Sequence, residues 1–125
     1  MIRHAVRALC AASLIVTPLA LSTPAHAVTC TVNGIPRTAT NLTGTAGSDY
    51  IRCTSIPSAH SVDGLGGSDY IVVTGTVAQG AAVRGGAGSD YLQVNVNNGT
   101  VSGGEGIDYC RVSSGNPPQS DCESR

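Results

Sequence analysis

The 125-residue chain contains no lysine, no phenylalanine and no tryptophan, and its only aromatic side chains are four tyrosines. Without large apolar rings, small aliphatic side chains must fill the interior, which suits a narrow, layered all-β architecture. From Val28 onward, five arginines face six aspartates and two glutamates, a formal charge of −3. That balance excludes the basic footprint of a nucleic-acid binder. The same stretch has one histidine, His60, and no nucleophile-elbow pattern, so neither hydrolase chemistry nor a zinc site is expected. After Leu21 no apolar run approaches the roughly twenty residues that a membrane span needs.

What is present begins with a basic start, Met1 to Arg7 with Arg3 and Arg7, followed by an apolar stretch from Ala8 to Leu21. The stretch ends at Ala25-His26-Ala27, the small-x-small pattern of a signal-peptidase site. Residues 1–27 therefore read as a secretory signal peptide, and the protein is expected outside the cell, with no membrane span. Cys10 lies inside the apolar stretch and is given no role. The remaining 98 residues, 28–125, make one small domain whose core is marginal without added restraints.

Four segments align without a gap. They run Leu42 to Cys53, Val62 to Val73, Val83 to Val94 and Val101 to Val112, with aspartates at 49, 69, 90 and 108 spaced by 20, 21 and 18 residues. A period of that length is one coil of a solenoid. The alternations Ile51/Cys53, Ile71/Val73, Leu92/Val94 and Cys110/Val112 predict strands with one buried face. Leu42, Val62, Val83 and Val101 mark a second short strand before each turn. Stacked in register, these positions form three apolar columns with layers about 4.8 Å apart. Glycines recur at 44, 64, 85 and 103 and again at 47, 67, 88 and 106, where a turn needs positive φ or close backbone approach. The segments Thr54 to Ser61, Thr74 to Ala82 and Asn95 to Gly99 read as loops on the opposite edge. The flanks 28–41 and 113–125 lack the repeat and are expected to cap the open ends of the 42–112 solenoid.

The third repeat, Gly85-Gly86-Ala87-Gly88-Ser89-Asp90-Tyr91-Leu92-Gln93, matches Gly-Gly-x-Gly-x-Asp-x-(large apolar)-x at every position. It resembles the hemolysin-type, or RTX, calcium-binding repeat family. The resemblance implies a right-handed parallel β-solenoid, of the β-roll or β-helix kind, with about four coils and glycine-rich calcium turns on one edge. It implies Ca2+ ligands at Asp49, Asp69, Asp90 and Asp108, with further oxygens from the turns at Gly85, Ala87, Gly103 and Glu105. It covers residues 42–112. Thr45 and Leu65 depart from the glycine pattern, and Cys110 replaces the large apolar residue in the fourth repeat. Electrostatics points the same way: aspartates stacked in a column repel one another, and a bound cation removes that cost.

Aspartate and glycine also close turns without metal, and in that reading Arg52 and Arg111 offset part of the column's charge. Tyr50, Tyr70, Tyr91 and Tyr109 precede the inward apolar positions and are expected to form an outward ladder, a possible surface for a cell-surface glycan or protein. The expected function is that of a secreted calcium-binding structural or interaction module with no catalytic residues. Its rivals are a carbohydrate- or protein-binding module with metal-free turns and, more remotely, a polysaccharide-acting β-helix enzyme. The lysine-free composition, rich in alanine, glycine and threonine, reads as bacterial, so the sequons at Asn41 and Asn98 carry no weight.

Export permits disulfides, and four cysteines allow three pairings. Cys53 belongs to the first coil and Cys110 to the fourth, about 14 Å apart through three layers. Since bridging needs Cα atoms within about 7 Å, that pair is excluded. The expected bridges are Cys30 with Cys53 and Cys110 with Cys122, each joining a cap to the nearest end.

Overall fold

A computed structural model describes residues 27–123. The expected signal peptide, apart from its last residue, and the final two positions of the expected C-terminal cap lie outside the described residues. The described chain contains ten strands and no helix: β1 (Val28–Val32), β2 (Ile35–Ala39), β3 (Asn41–Thr43), β4 (Tyr50–Cys53), β5 (Ser61–Asp63), β6 (Tyr70–Val77), β7 (Ala82–Ala87), β8 (Tyr91–Asn97), β9 (Thr100–Glu105) and β10 (Tyr109–Gly115).

Each repeat contributes one strand to each of two parallel stacks, β3-β5-β7-β9 and β4-β6-β8-β10, giving a β-solenoid of four coils. The register is that of the repeat. Leu42, Val62, Val83 and Val101 lie side by side, as do Tyr50, Tyr70, Tyr91 and Tyr109. A one-residue slip would turn every inward aliphatic residue to solvent, so the alternating pattern selects this register. The buried columns Ile51–Ile71–Leu92–Cys110 and Leu42–Val62–Val83–Val101 are as the alternation predicts. The column Cys53–Val73–Val94 is buried too, but its fourth member, Val112, is only partly so because no further coil covers it.

One expectation is corrected. Thr74 to Ala82 and Asn95 to Gly99 are not simply loops: β6 continues to Val77, β8 continues to Asn97, and Ile56 bridges to Val77. These stretches form a third wall that buries Ile56, Val77 and Ala81, completing a core that two flat walls would leave open. The chain bends into it at Gly75, where a side chain would collide with the Thr54 carbonyl and the register between β6 and β8 shifts.

The ends are closed differently. At the N-terminal end, Asn33 and Gly34 (φ 53° and 82°) form a two-residue turn of the kind that suits a twisted hairpin, and β1 and β2 pair antiparallel across it. Strand β1 then pairs antiparallel with β4, setting Cys30 opposite Cys53, and Val28, Cys30 and Val32 are buried against the first coil. At the C-terminal end the tail crosses the last coil, its Gln119 and Glu123 amides donating to the Val101 and Asp108 carbonyls at 2.8 and 2.9 Å. Asp121 accepts the Gly103 and Gly104 amides and the Ser102 hydroxyl, taking over the outer edge of β9. The disulfides are Cys30–Cys53 and Cys110–Cys122, with Cα separations of 4.3 and 5.5 Å.

Candidate functional site

The four glycine-rich turns, 44–49, 64–69, 85–90 and 103–108, stack along one edge. Each ends in an aspartate followed by a tyrosine and then a buried residue, and strand alternation sends the first and third inward and the tyrosine outward. Asp49, Asp69, Asp90 and Asp108 are all buried, at most 4 % exposed. One carboxylate oxygen of the last three is spoken for between coils: the amides of Asp49, Asp69 and Asp90 donate to Oδ1 of Asp69, Asp90 and Asp108, each at 2.8 Å.

The second oxygen separates the first turn from the rest. Oδ2 of Asp69, Asp90 and Asp108 is buried without a hydrogen-bond partner. Beside it lies the first glycine of the same turn. A Cβ built on Gly85 would stand 2.5 Å from Asp90 Oδ2 and 2.6 Å from the Gly103 carbonyl oxygen. One built on Gly64 would collide in the same way with Asp69 Oδ2 and the Gly85 carbonyl. In both places, as at Gly44 beside Asp49 Oδ2 and the Gly64 carbonyl, two acceptor oxygens from successive turns converge on a cradle only glycine leaves open; the first turn differs in what already holds its Oδ2. An unpaired buried carboxylate oxygen is costly, and a second acceptor beside it raises the cost.

Asp49 stands in different company. Its Oδ2 accepts from the Thr45 amide at 2.6 Å and hydroxyl at 3.0 Å, and its Oδ1 accepts from Asn33 Nδ2 at 2.7 Å. The first turn has no residue at positive φ, whereas Leu65, Gly67, Gly86, Gly88, Gly104 and Gly106 are all left-handed. Gly47, expected to need positive φ or close approach, has neither: the nearest atom to a Cβ there is Thr45 Oγ1, at 3.7 Å. Thr45 holds the turn by its side chain instead.

The charges follow this division. Burial pushes Asp69 up to about 6 against the bond from the Asp49 amide, with the charges of Asp90, Asp49 and Asp63 adding to the rise. Burial likewise raises Asp90 against the Asp69 amide, and the charges of Asp108 and Asp63 act in the same direction. Burial acts to raise Asp49 too, but the bonds from Thr45 and Asn33, with the Arg37 charge, outweigh it and hold its carboxyl low.

Of the other expected ligand positions, Gly85 and Gly103 line the column, while Ala87 and Glu105 face each other across β7 and β9 with exposed side chains. The Glu105 carboxylate thus stands at the rim, and its carbonyl accepts from the Gly88 amide at 2.8 Å. Arg52 and Arg111 are exposed on the outer face and do not serve as counter-charges inside the column. Among the described residues no three His, Cys, Asp or Glu side chains converge on a point, so a cation here would rest on one carboxylate per turn and on carbonyls.

The tyrosines form one continuous stack, with centroids 5.4, 4.8 and 5.0 Å apart and planes within 13° of parallel. Within the stack the rings cover one another's faces, leaving edges and hydroxyls for a partner. Sequence reasoning passed over Asn33 and Asp121, and took Thr45 only as a departure from the glycine pattern. Asn33-Gly34 between Val32 and Ile35 is a hairpin signal that places Asn33 at the column's end, and Thr45 stands out as the one hydroxyl where later repeats have leucine or glycine. Comparison with protein-family models, curated proteins and solved structures finds no match.

Proposed function

We propose that this chain is a secreted calcium-binding repeat protein, a small rigid module with a structural or interaction role. The observation that carries this reading is the set of buried, partnerless Oδ2 atoms on Asp69, Asp90 and Asp108, two of them facing a carbonyl of the following turn. Two acceptors can share a site only if something positive lies between them. A proton serves at acidic pH, since a neutral carboxyl can donate to the facing carbonyl. At neutral pH the choice falls to a hard cation that accepts carboxylate and carbonyl oxygens in flexible geometry, which describes calcium, with 6–8 oxygens at 2.3–2.6 Å. Zinc finds neither histidine nor free thiolate at the column, because the described cysteines are bridged.

A ligand that binds only the folded chain raises its stability by mass action. Calcium should therefore raise the melting temperature of the purified protein at pH 7, saturating at about millimolar concentration as extracellular modules commonly do. Identical melting curves in chelator and in excess calcium would return the column to the metal-free turn reading.

A second reading has its own support: on the outer face of the β4-β6-β8-β10 stack, the tyrosine ladder lies beside Arg52 and Arg111 with no carboxylate in those strands. Such a face suits a glycan or protein bound through ring edges, hydroxyls and guanidinium groups. A glycan array probed with native protein and with Tyr70→Ala and Tyr91→Ala tests it, and binding that survives both changes rules the ladder out.

A further inference from the structure

We propose that the first turn carries a built-in substitute for a cation, the Asn33 amide with the Thr45 hydroxyl and amide, so that calcium enters only between the second and third turns and between the third and fourth. The inference rests on the calcium reading and says where that reading stops applying.

Asn33 lies outside the turn that holds both Thr45 and Asp49. Asn33 is at the hairpin tip, 16 residues before Asp49, and it grips the first coil from two sides: its Nδ2 donates to Asp49 Oδ1, and its Oδ1 accepts from the Tyr50 amide at 2.8 Å. Thr45 closes from within the turn, donating its amide to Oδ2 and its hydroxyl to both carboxylate oxygens. Together they supply Asp49 with the positive ends of three N–H or O–H dipoles. A cation at this position would have to displace them and leave them without acceptors.

The later turns have no equivalent. Position 45 is matched by Leu65, Gly86 and Gly104, none of which carries a side-chain donor, and Leu65 adopts φ 73° where Thr45 does not. The Leu65 amide turns instead to Asp63 Oδ1 at 2.9 Å, leaving Asp69 Oδ2 bare. All three intervals have the cradle, since a Cβ on Gly44 would stand 2.6 Å from Asp49 Oδ2 and 2.8 Å from the Gly64 carbonyl oxygen, but only two keep the carboxylate oxygen bare: Asp69 Oδ2 with the Gly85 carbonyl, and Asp90 Oδ2 with the Gly103 carbonyl. Asp108 has no fifth repeat stacked beyond it, and Asp121 already occupies the Gly103 and Gly104 amides at that end. The expected count is therefore two ions per chain, both away from the N-terminal hairpin.

The test is calorimetric titration of calcium chloride into the oxidised, chelator-stripped protein, with circular dichroism to confirm folding. The native chain should bind two ions. Asp69→Asn and Asp90→Asn should each abolish a site or weaken it at least tenfold, whereas Asp49→Asn should leave count and affinity within twofold of native. A gain is expected as well: Thr45→Gly combined with Asn33→Ala removes the substitute donors and restores the glycine pattern, and it should raise the count to three. An Asp49→Asn loss equal to that of Asp90→Asn overturns the inference alone, as does a folded double variant that stays at two. A native chain that binds no calcium overturns the proposed function and this inference with it.

Discussion

The first and third turns have the same length, bury an aspartate to the same depth and lead into the same tyrosine, yet they meet the carboxylate in different ways. The first surrounds Asp49 with donors from Thr45 and Asn33 and keeps its backbone in ordinary conformations. The third leaves Asp90 Oδ2 bare and twists Gly86 and Gly88 to φ 104° and 124°. Identical spacing thus supports two arrangements around one buried charge: the first turn satisfies its carboxylate from within the chain, and the third leaves one oxygen unpartnered. On the proposed reading, the solenoid is self-sufficient at its hairpin end and takes calcium further along.

The glycines should break this equivalence most sharply. Gly88→Ala combines a left-handed backbone with a collision against the Gly67 carbonyl, and should cost about 2–5 kcal/mol. The aligned change Gly47→Ala meets nothing closer than 3.7 Å, and should stay within about 0.5 kcal/mol. Urea denaturation of the two variants decides the matter, and similar losses would mean that the turns are alike after all.

The disulfides probe the ends. Replacing both cysteines of either bridge by alanine should cost about 2–5 kcal/mol. The Cys30–Cys53 bridge spans 23 residues of sequence separation against 12 for Cys110–Cys122, so chain entropy makes the first loss larger by about 0.5 kcal/mol. Thermal melting under non-reducing conditions measures both.

The response to pH separates the turns in opposite directions. Asp69 and Asp90 have raised folded values, so their contribution to stability is complete below the unfolded value of 3.8 and is lost as pH climbs, for Asp69 through about 6. Asp49 and Asp121 are held low, so theirs is complete above 3.8 and is lost as acidification passes through their folded values. In chelator the melting temperature should therefore peak near pH ~4 to 5 and fall toward neutrality. Asp69→Asn should flatten the neutral limb and Asp49→Asn the acid limb. A chelated protein that grows steadily more stable from pH 4 to pH 7 would contradict the division.

A modest effect is expected of Thr45→Val, which removes the hydroxyl but keeps the amide bond to Asp49. A loss of about 1.5 kcal/mol is expected, in keeping with a hydrogen bond to a charged group. On the proposal that the first turn takes no ion, the loss should be the same in calcium and in chelator.

Much of this was legible in the chain because the repeat is nearly periodic and one strand parity runs through it. Asp49, Tyr50 and Ile51 alternate inward, outward and inward, and the same parity recurs from 69, 90 and 108, so the stack and its register follow from counting, and the two disulfides from the distance between the end coils and the nearness of each cap to its own end. The third wall was not legible, since the segments holding Ile56, Val77 and Asn97 differ in length and hide their alignment. Nor was the closure of Asp49, which joins residues 33, 45 and 49 through a hairpin that packs antiparallel on the first coil. Pairings between a cap and a repeat leave no period to find.

The hairpin also governs what the molecule can become. A parallel stack has no intrinsic end: a coil laid on it exposes a fresh edge identical in kind to the one it covered, and neighbouring molecules could extend it without limit. Here β1 covers the β4 edge, and the outermost strand, β2, runs antiparallel to β1 and carries Pro36, which has no amide to offer a newcomer. On the N-terminal side the Tyr-bearing stack is therefore closed within the monomer, leaving β3 as the only strand edge that the other stack presents there among the described residues, so that end resists continuous two-stack growth into fibres.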